Sequence, residues 1–198
     1  MTTPQLILAS ASPRRRQLLA QLALPFTVMP ANLEERQLAN EPPLPYAVRM
    51  AESKAAHLAQ QYPDAFVLGA DTVVVLDNDI LGKPADTQEA RQMLHRLSGR
   101  QHTVITGLAL LHQRQQLKRL DAVSTLVRFR PLLPVDIETY VATGEPLDKA
   151  GAYAIQGGAA AFVVSLDGCY TNVVGLPLRR TAALLRSAGL YVPYDTGA

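Results

Sequence analysis

Apolar and polar positions alternate between two periods along this chain, and the switches mark out strands and helices. Leu6 to Ala9 is a short apolar run that reads as a buried strand. Ser12 then suits a helix N-cap and Pro13 the first helical position, with Leu18, Leu19 and Leu22 along one face. Phe26 to Met29 forms a second strand. Glu34 to Pro45 reads as a loop closed by Pro42, Pro43 and Pro45. Val48, Ala51, Ala55 and Leu58 recur at helical spacing and predict an amphipathic helix over residues 45–61. Phe66 to Leu76 is a long β-branched run, and Asp77-Asn78-Asp79 turns it into another short strand. Thr87 to Leu97 is helical, with Ala90, Met93, Leu94 and Leu97 on one side. Thr103 to Leu111 and Val123 to Phe129 predict a long hairpin across the polar stretch His112 to Arg119. Val135 to Thr143 is a short helix, Ala152 to Ile155 and Ala161 to Leu166 are strands, and Pro177 to Ala188 is the last helix. Interleaved strands and helices with a hairpin predict an α/β fold with a mixed sheet.

Composition narrows the class. The chain has 198 residues, 48% of them apolar, with 19 basic against 17 acidic side chains. That is the length of one ordinary domain, or of one domain with two lobes. It is too apolar and too weakly charged for a disordered chain. No apolar run approaches the ~20 residues of a membrane-spanning helix. The amino terminus lacks a basic region, so no signal peptide is expected. One Cys makes neither an internal disulfide nor a cysteine metal site. These features lead to the expectation of a cytosolic globular protein. A charge excess of +2 argues against a dedicated duplex-DNA binder, yet leaves room for a small anion held by a local cluster.

Three features carry candidate chemistry. Ser10-Ala-Ser-Pro-Arg-Arg-Arg16 follows a strand and opens a helix, which is the geometry of an anion site. Three arginines in a first turn oppose the helix dipole, which makes sense around an anion; a capped helix with solvated arginines explains the same residues. Gly69-Ala-Asp71-Thr72 places a carboxylate in an apolar, β-branched run. If buried it is a candidate general base or metal ligand; if it ends a strand it faces solvent. Gly69 and Ala70 are small enough for a ligand to approach the backbone. Lys83 in Gly82-Lys-Pro84, Lys54 beside an apolar helical stripe, and Glu34 and Glu35 in the preceding loop are single charges that usually face water. Together they supply carboxylates for a cation, a base for water and cations for developing phosphate charge. There is no G-x-S-x-G elbow, zinc helix, dinucleotide fingerprint or P-loop; Pro84 stands where a P-loop needs Ser or Thr.

Six segments in order then resemble the Maf family of nucleoside triphosphate pyrophosphatases. They are Leu8-Ala-Ser-Ala-Ser-Pro-Arg-Arg-Arg16, Leu68-Gly-Ala-Asp-Thr-Val73, Gly82-Lys-Pro84, Leu97-Ser-Gly-Arg100, Lys149-Ala-Gly-Ala-Tyr-Ala-Ile-Gln-Gly157 and Asn172-Val-Val-Gly-Leu-Pro177. The resemblance implies an elongated mixed sheet flanked by helices, two lobes with a central cleft, related to inosine triphosphate pyrophosphatases, and one bilobal domain over 1–198. It implies cleavage between the α and β phosphates, a divalent cation (Mg²⁺, Mn²⁺ or Co²⁺), a homodimer and a cytoplasmic location. By motif, Asp71 is implied as the base that activates water and as a metal ligand. Ser10 and Arg15 would hold phosphates, Lys54 and Lys83 would stabilise charge, and Glu35, or its neighbour Glu34, would help bind the metal.

The resemblance also implies a branch. Arg14, Thr72 and Gln156 match members that act on dTTP and UTP, whereas the 7-methyl-GTP branch carries Trp, Gln and Glu; this chain has no Trp. A glutamine amide can accept from the N3–H of thymine or uracil and donate to a carbonyl; flipped, the same amide could match the edge of cytosine. A methyl group is worth only about 1–3 kcal/mol in an apolar pocket, so both nucleotides and modified pyrimidines fall within the expected range. The expectation is a dTTP/UTP pyrophosphatase. The rival from another class is a non-catalytic nucleotide- or nucleic-acid-binding regulator of cell division.

Overall fold

The computed structural model describes residues 5–190 and 192; the reading of the amino terminus over residues 1–4 lies outside them. Seven strands form one sheet: β1 (Leu6–Leu8), β2 (Thr27–Val28), β3 (Phe66–Leu76), β4 (Asp79–Leu81), β5 (Gln101–His112), β6 (Leu117–Phe129) and β7 (Val163–Asp167). Their order is β2-β1-β3-β5-β6-β7, with β4 paired to β3. β1 runs parallel to both β2 and β3, while β3–β4 and β6–β7 are antiparallel. The helices are α1 (Pro13–Ala20), α2 (Pro43–Ala59), α3 (Thr87–Leu97), α4 (Pro134–Ala142), α5 (Tyr170–Val174) and α6 (Leu178–Ser187). The expected α/β fold with a mixed sheet is the fold observed.

Two compact units share the chain. Among the described residues, the first comprises 5–71, 106–123, 175–190 and 192; the second comprises Thr72–Ile105 and Ser124–Val174. β3 therefore passes from one to the other between Asp71 and Thr72.

The first unit is organised by α2. Ala47, Ala51, Ala55 and Ala59 recur every fourth residue and are all buried. That spacing makes a smooth stripe along one face. Ala51, Ala55 and Ala59 join Ile7, Ala9, Val67 and Ala109 in one apolar cluster. The helix lies so close that a Cβ at Gly69 would stand 2.1 Å from the Ala51 carbonyl oxygen, and one at Gly107 2.3 Å from that of Ala47. Gly69 thus makes room for a helix backbone, and not, as its small size suggested, for a ligand. The helix starts at Pro43, inside the segment expected to be loop. Pro43 and Pro45 occupy the first turn, where the missing N–H costs nothing.

The second unit holds an aromatic cluster. Phe129 meets His102, Tyr153 and Phe162 edge-on, and Phe162 meets Tyr140 in the same way. Residues 152–155 are not the strand that their apolar run suggested. Gly151 and Ala152 have φ of 68° and 57°, which breaks an extended backbone, and the Ala154 N–H donates to the Tyr140 hydroxyl at 3.0 Å instead of to a sheet. The loop between β5 and β6 spans only residues 113–116, shorter than its polar flanks predicted. Leu117–Phe129 stays extended because sheet pairing overrides weak local propensity.

His102 is buried and its Nε2 lies 2.8 Å from the Tyr153 hydroxyl, while its Nδ1 has no hydrogen-bond partner. Desolvation pushes its pKa from 6.5 down to about 4. Between these values the unfolded chain binds a proton that the folded chain refuses. Stability should therefore fall as pH drops from 6.5 towards 4, by about 3 kcal/mol at this site. Urea unfolding at pH 7 and pH 4.5 reads this loss, and His102→Gln should flatten it. An unchanged pH profile in that variant would assign the acid sensitivity elsewhere.

Candidate active site

The strand β3 and the helix α2 bring an acid and a base together by register. Gly69 and Asp71 are two residues apart and share a face of β3. Ala51 sits against Gly69, and Lys54 is one turn further along the helix. Lys54 Nζ accordingly donates to Asp71 Oδ1 at 2.5 Å, with both side chains buried. The same nitrogen is 2.6 Å from Glu35 Oε1. Glu35 is half-exposed, and its neighbour Glu34 has no such partner among the described ion pairs.

The β1–α1 turn supplies the cations. Ser12 is the N-cap, as its position predicted, and accepts from the Arg15 N–H at 3.4 Å. Ser10 is buried, and its Oγ accepts from the Ser12 N–H at 3.2 Å and from Arg15 Nη1 at 3.3 Å. Arg15 Nε donates to the Gly175 carbonyl at 2.9 Å, which fixes the guanidinium across the chain. Arg14 is half-buried like Arg15, while Arg16 is exposed.

These charges set each other's proton affinity. Burial raises the Asp71 pKa, opposed chiefly by the charges of Lys54 and Arg15 and by the Lys54 hydrogen bond; the Glu35 charge adds to the rise. Burial pulls Arg15 down, and Asp71 and Glu35 push it back. Tyr46, buried on α2, is raised to about 12 by desolvation and then by the Asp71 and Glu35 charges. Sequence reasoning missed Tyr46. Its spacing of eight residues from Lys54 on the same helix was the available signal.

The other expected site residues lie in the second unit. Thr72 follows Asp71 along β3, so its side chain leaves the strand on the opposite face. Lys83 is exposed in the loop after β4. That loop is held by the Gly151 N–H, which donates to the Gly82 carbonyl at 3.0 Å. Gln156 is exposed at the tip of a turn between buried Ile155 and the Gly157-Gly158 pair.

Among the described residues, no group of three or more His, Cys, Asp and Glu is arranged to hold a metal. Two carboxylates, Glu35 and Asp71, converge on Lys54, and carboxylate oxygens are the donors that an ion of the Mg²⁺ type takes. Such an ion binds through one or two carboxylates and completes its shell with phosphates and water.

A mixed α/β sheet with a charge-balanced acid–base centre beside a basic strand–helix turn defines the class. The chain belongs to the Maf family: the model for Maf-like proteins matches residues 5–188. A dTTP/UTP pyrophosphatase of Symbiobacterium thermophilum is 51% identical over 98% of this chain and 97% of its own. One of Halalkalibacterium halodurans is 54% identical over 93% and 96%. A solved HAM1 protein from Coxiella burnetii shares the fold, with a TM-score of 0.54 over 93% of this chain and 100% of that chain, at 16% identity. No described helix is long and apolar enough to cross a membrane.

Breaking a buried ion pair strands a charge. Lys54→Met should cost about 3–5 kcal/mol of unfolding free energy at neutral pH, and the double variant Lys54→Met with Asp71→Leu should recover much of that loss. Urea denaturation measures both. A single variant as stable as the wild type would mean that the pair contributes nothing to the fold.

Proposed function

We propose that this protein hydrolyses dTTP and UTP between the α and β phosphates, releasing the nucleoside monophosphate and pyrophosphate. The carrying observation is the buried Lys54–Asp71 pair, with Glu35 on the same ammonium. It is supported by relatives, half identical over nearly the whole chain, that bear the name dTTP/UTP pyrophosphatase.

In this reading Asp71 takes the proton from the attacking water. Burial raises its proton affinity, which favours a base, while Lys54 and Arg15, and a cation when bound, oppose that rise. Ser10 and Arg15 bind phosphate oxygens, with Arg14 at the edge of that group. Arg15 is pre-oriented by the Gly175 carbonyl and needs little reorganisation. Lys54 and Lys83 offset the negative charge that grows on the leaving pyrophosphate. Glu35 and Asp71 would hold a divalent cation such as Mg²⁺, Mn²⁺ or Co²⁺, which supplies polarisation of the phosphate when bound. Gln156 reads the pyrimidine N3–H and an adjacent carbonyl, and Thr72 belongs to the substrate-binding set. A cytoplasmic, homodimeric enzyme of one bilobal domain completes the proposal.

Asp71→Asn keeps the shape and removes the base. Incubated with dTTP, UTP, dCTP and 7-methyl-GTP plus Mg²⁺ or Mn²⁺, the wild type should give monophosphate and pyrophosphate from the first two. The folded variant should bind them and turn over at least ~100-fold more slowly. Single-phosphate release would relocate the cleavage, and bound but intact nucleotides with the wild type would favour the regulator reading.

A further inference from the structure

We propose that Glu145, acting with Tyr140, is a positioning residue for base selection: it holds the turn that presents Gln156. The proposal rests on the reading of Gln156 as the group that meets the base. Gln156 sits between two backbone donors that are both taken by side chains from α4 and the turn that follows it. On the near side, the Ala154 N–H donates to the Tyr140 hydroxyl at 3.0 Å. On the far side, the Gly158 N–H donates to Glu145 Oε2 at 3.0 Å. The Gly157 N–H closes the turn on the Ala154 carbonyl at 3.0 Å. Burial raises the Tyr140 pKa, and the nearby Glu145 carboxylate adds to the rise.

Glu145 is itself fixed. Its own N–H donates to Thr143 Oγ1 at 3.1 Å, and Thr143 Oγ1 donates to the Tyr140 carbonyl at 2.6 Å. Gly144 turns the chain there with φ of 75°. Tyr140 is buried and packs edge-on against Phe162 at 5.3 Å.

The glycine after Gln156 reports the same constraint. Gly157 has φ of −112° and ψ of −149°, outside the left-handed region. A Cβ at Gly157 would instead fall 1.5 Å from Glu145 Oε1. The carboxylate occupies the space where a side chain would go. An exposed turn can satisfy its N–H groups with water. A carboxylate acceptor is stronger and directional, which restricts the turn to one geometry. A reader of base edges needs that restriction, because a small misplacement loses the paired contact.

Glu145→Ala, Glu145→Gln, Tyr140→Phe and Gln156→Ala, each checked for folding by thermal melting, test this with steady-state kinetics on dTTP, UTP and dCTP. Glu145→Ala should raise KM for dTTP and UTP about tenfold, leave kcat within about twofold, and erode the preference over dCTP. Glu145→Gln retains an acceptor for Gly158 and should stay close to wild type. Tyr140→Phe keeps the ring, removes the hydroxyl and should shift KM and preference in the direction of Glu145→Ala; it decides the matter if Glu145→Ala does not fold. Wild-type KM and preference in Glu145→Ala, while Gln156→Ala changes them, would overturn the positioning role alone. An equal loss of kcat on every nucleotide would overturn it too, by marking a purely structural role. Unchanged preference in Gln156→Ala would remove the reading on which the proposal rests.

Discussion

The buried contact between Lys54 and Asp71 is the interaction on which the rest depends. Removing two charges from water costs several kcal/mol each, and only close geometry and further partners offset it. The protein supplies both. Ala47, Ala51, Ala55 and Ala59 present no side chain beyond Cβ, and Gly69 and Gly107 present none at all, so α2 settles backbone-to-backbone on the sheet. That closeness fixes the height of Lys54 over β3. Asp71 then finds an ammonium within 2.5 Å, Glu35 reaches the same nitrogen, and Arg15 contributes a second positive charge. The core packing and the candidate chemistry are consequences of one register.

Around that contact the polar groups are braced from outside. Arg49 links Glu41 at 2.6 Å and the Arg36 carbonyl at 2.9 Å, which ties the loop carrying Glu35 back to α2. The Gly175 carbonyl does the same for Arg15. On the proposed reading, rigid supports of this kind matter more than extra ligands, since phosphoryl chemistry is chiefly positioning and charge. In the second unit the Tyr140–Glu145 group performs a comparable service for a turn whose tip is Gln156.

Much of this was legible in the sequence, for identifiable reasons. Ser12 and Pro13 announce a helix start because capping is local chemistry. Phe66 to Leu76 reads as a strand because nine of its eleven residues are apolar or β-branched, which leaves little alternative. The pairing of Glu35 and Lys54 was not legible as geometry; the sequence offered them only as charge types that together suit phosphate chemistry. Three features resisted local reading. Gly69 makes room for Ala51 and Ala55 on a helix that precedes its strand, a tertiary fact. Residues 152–155 look like a strand until positive φ at Gly151 and Ala152 is known. Glu145 meets its turn through a backbone N–H, which leaves no compositional mark.

The central claim is that water attacks the α phosphate with Asp71 as its base. Hydrolysis of dTTP in H₂¹⁸O, followed by mass spectrometry of both products, tests it most directly. The account predicts one ¹⁸O atom in the monophosphate and none in pyrophosphate. Label in the pyrophosphate would place the attack on the β phosphate and contradict the mechanism.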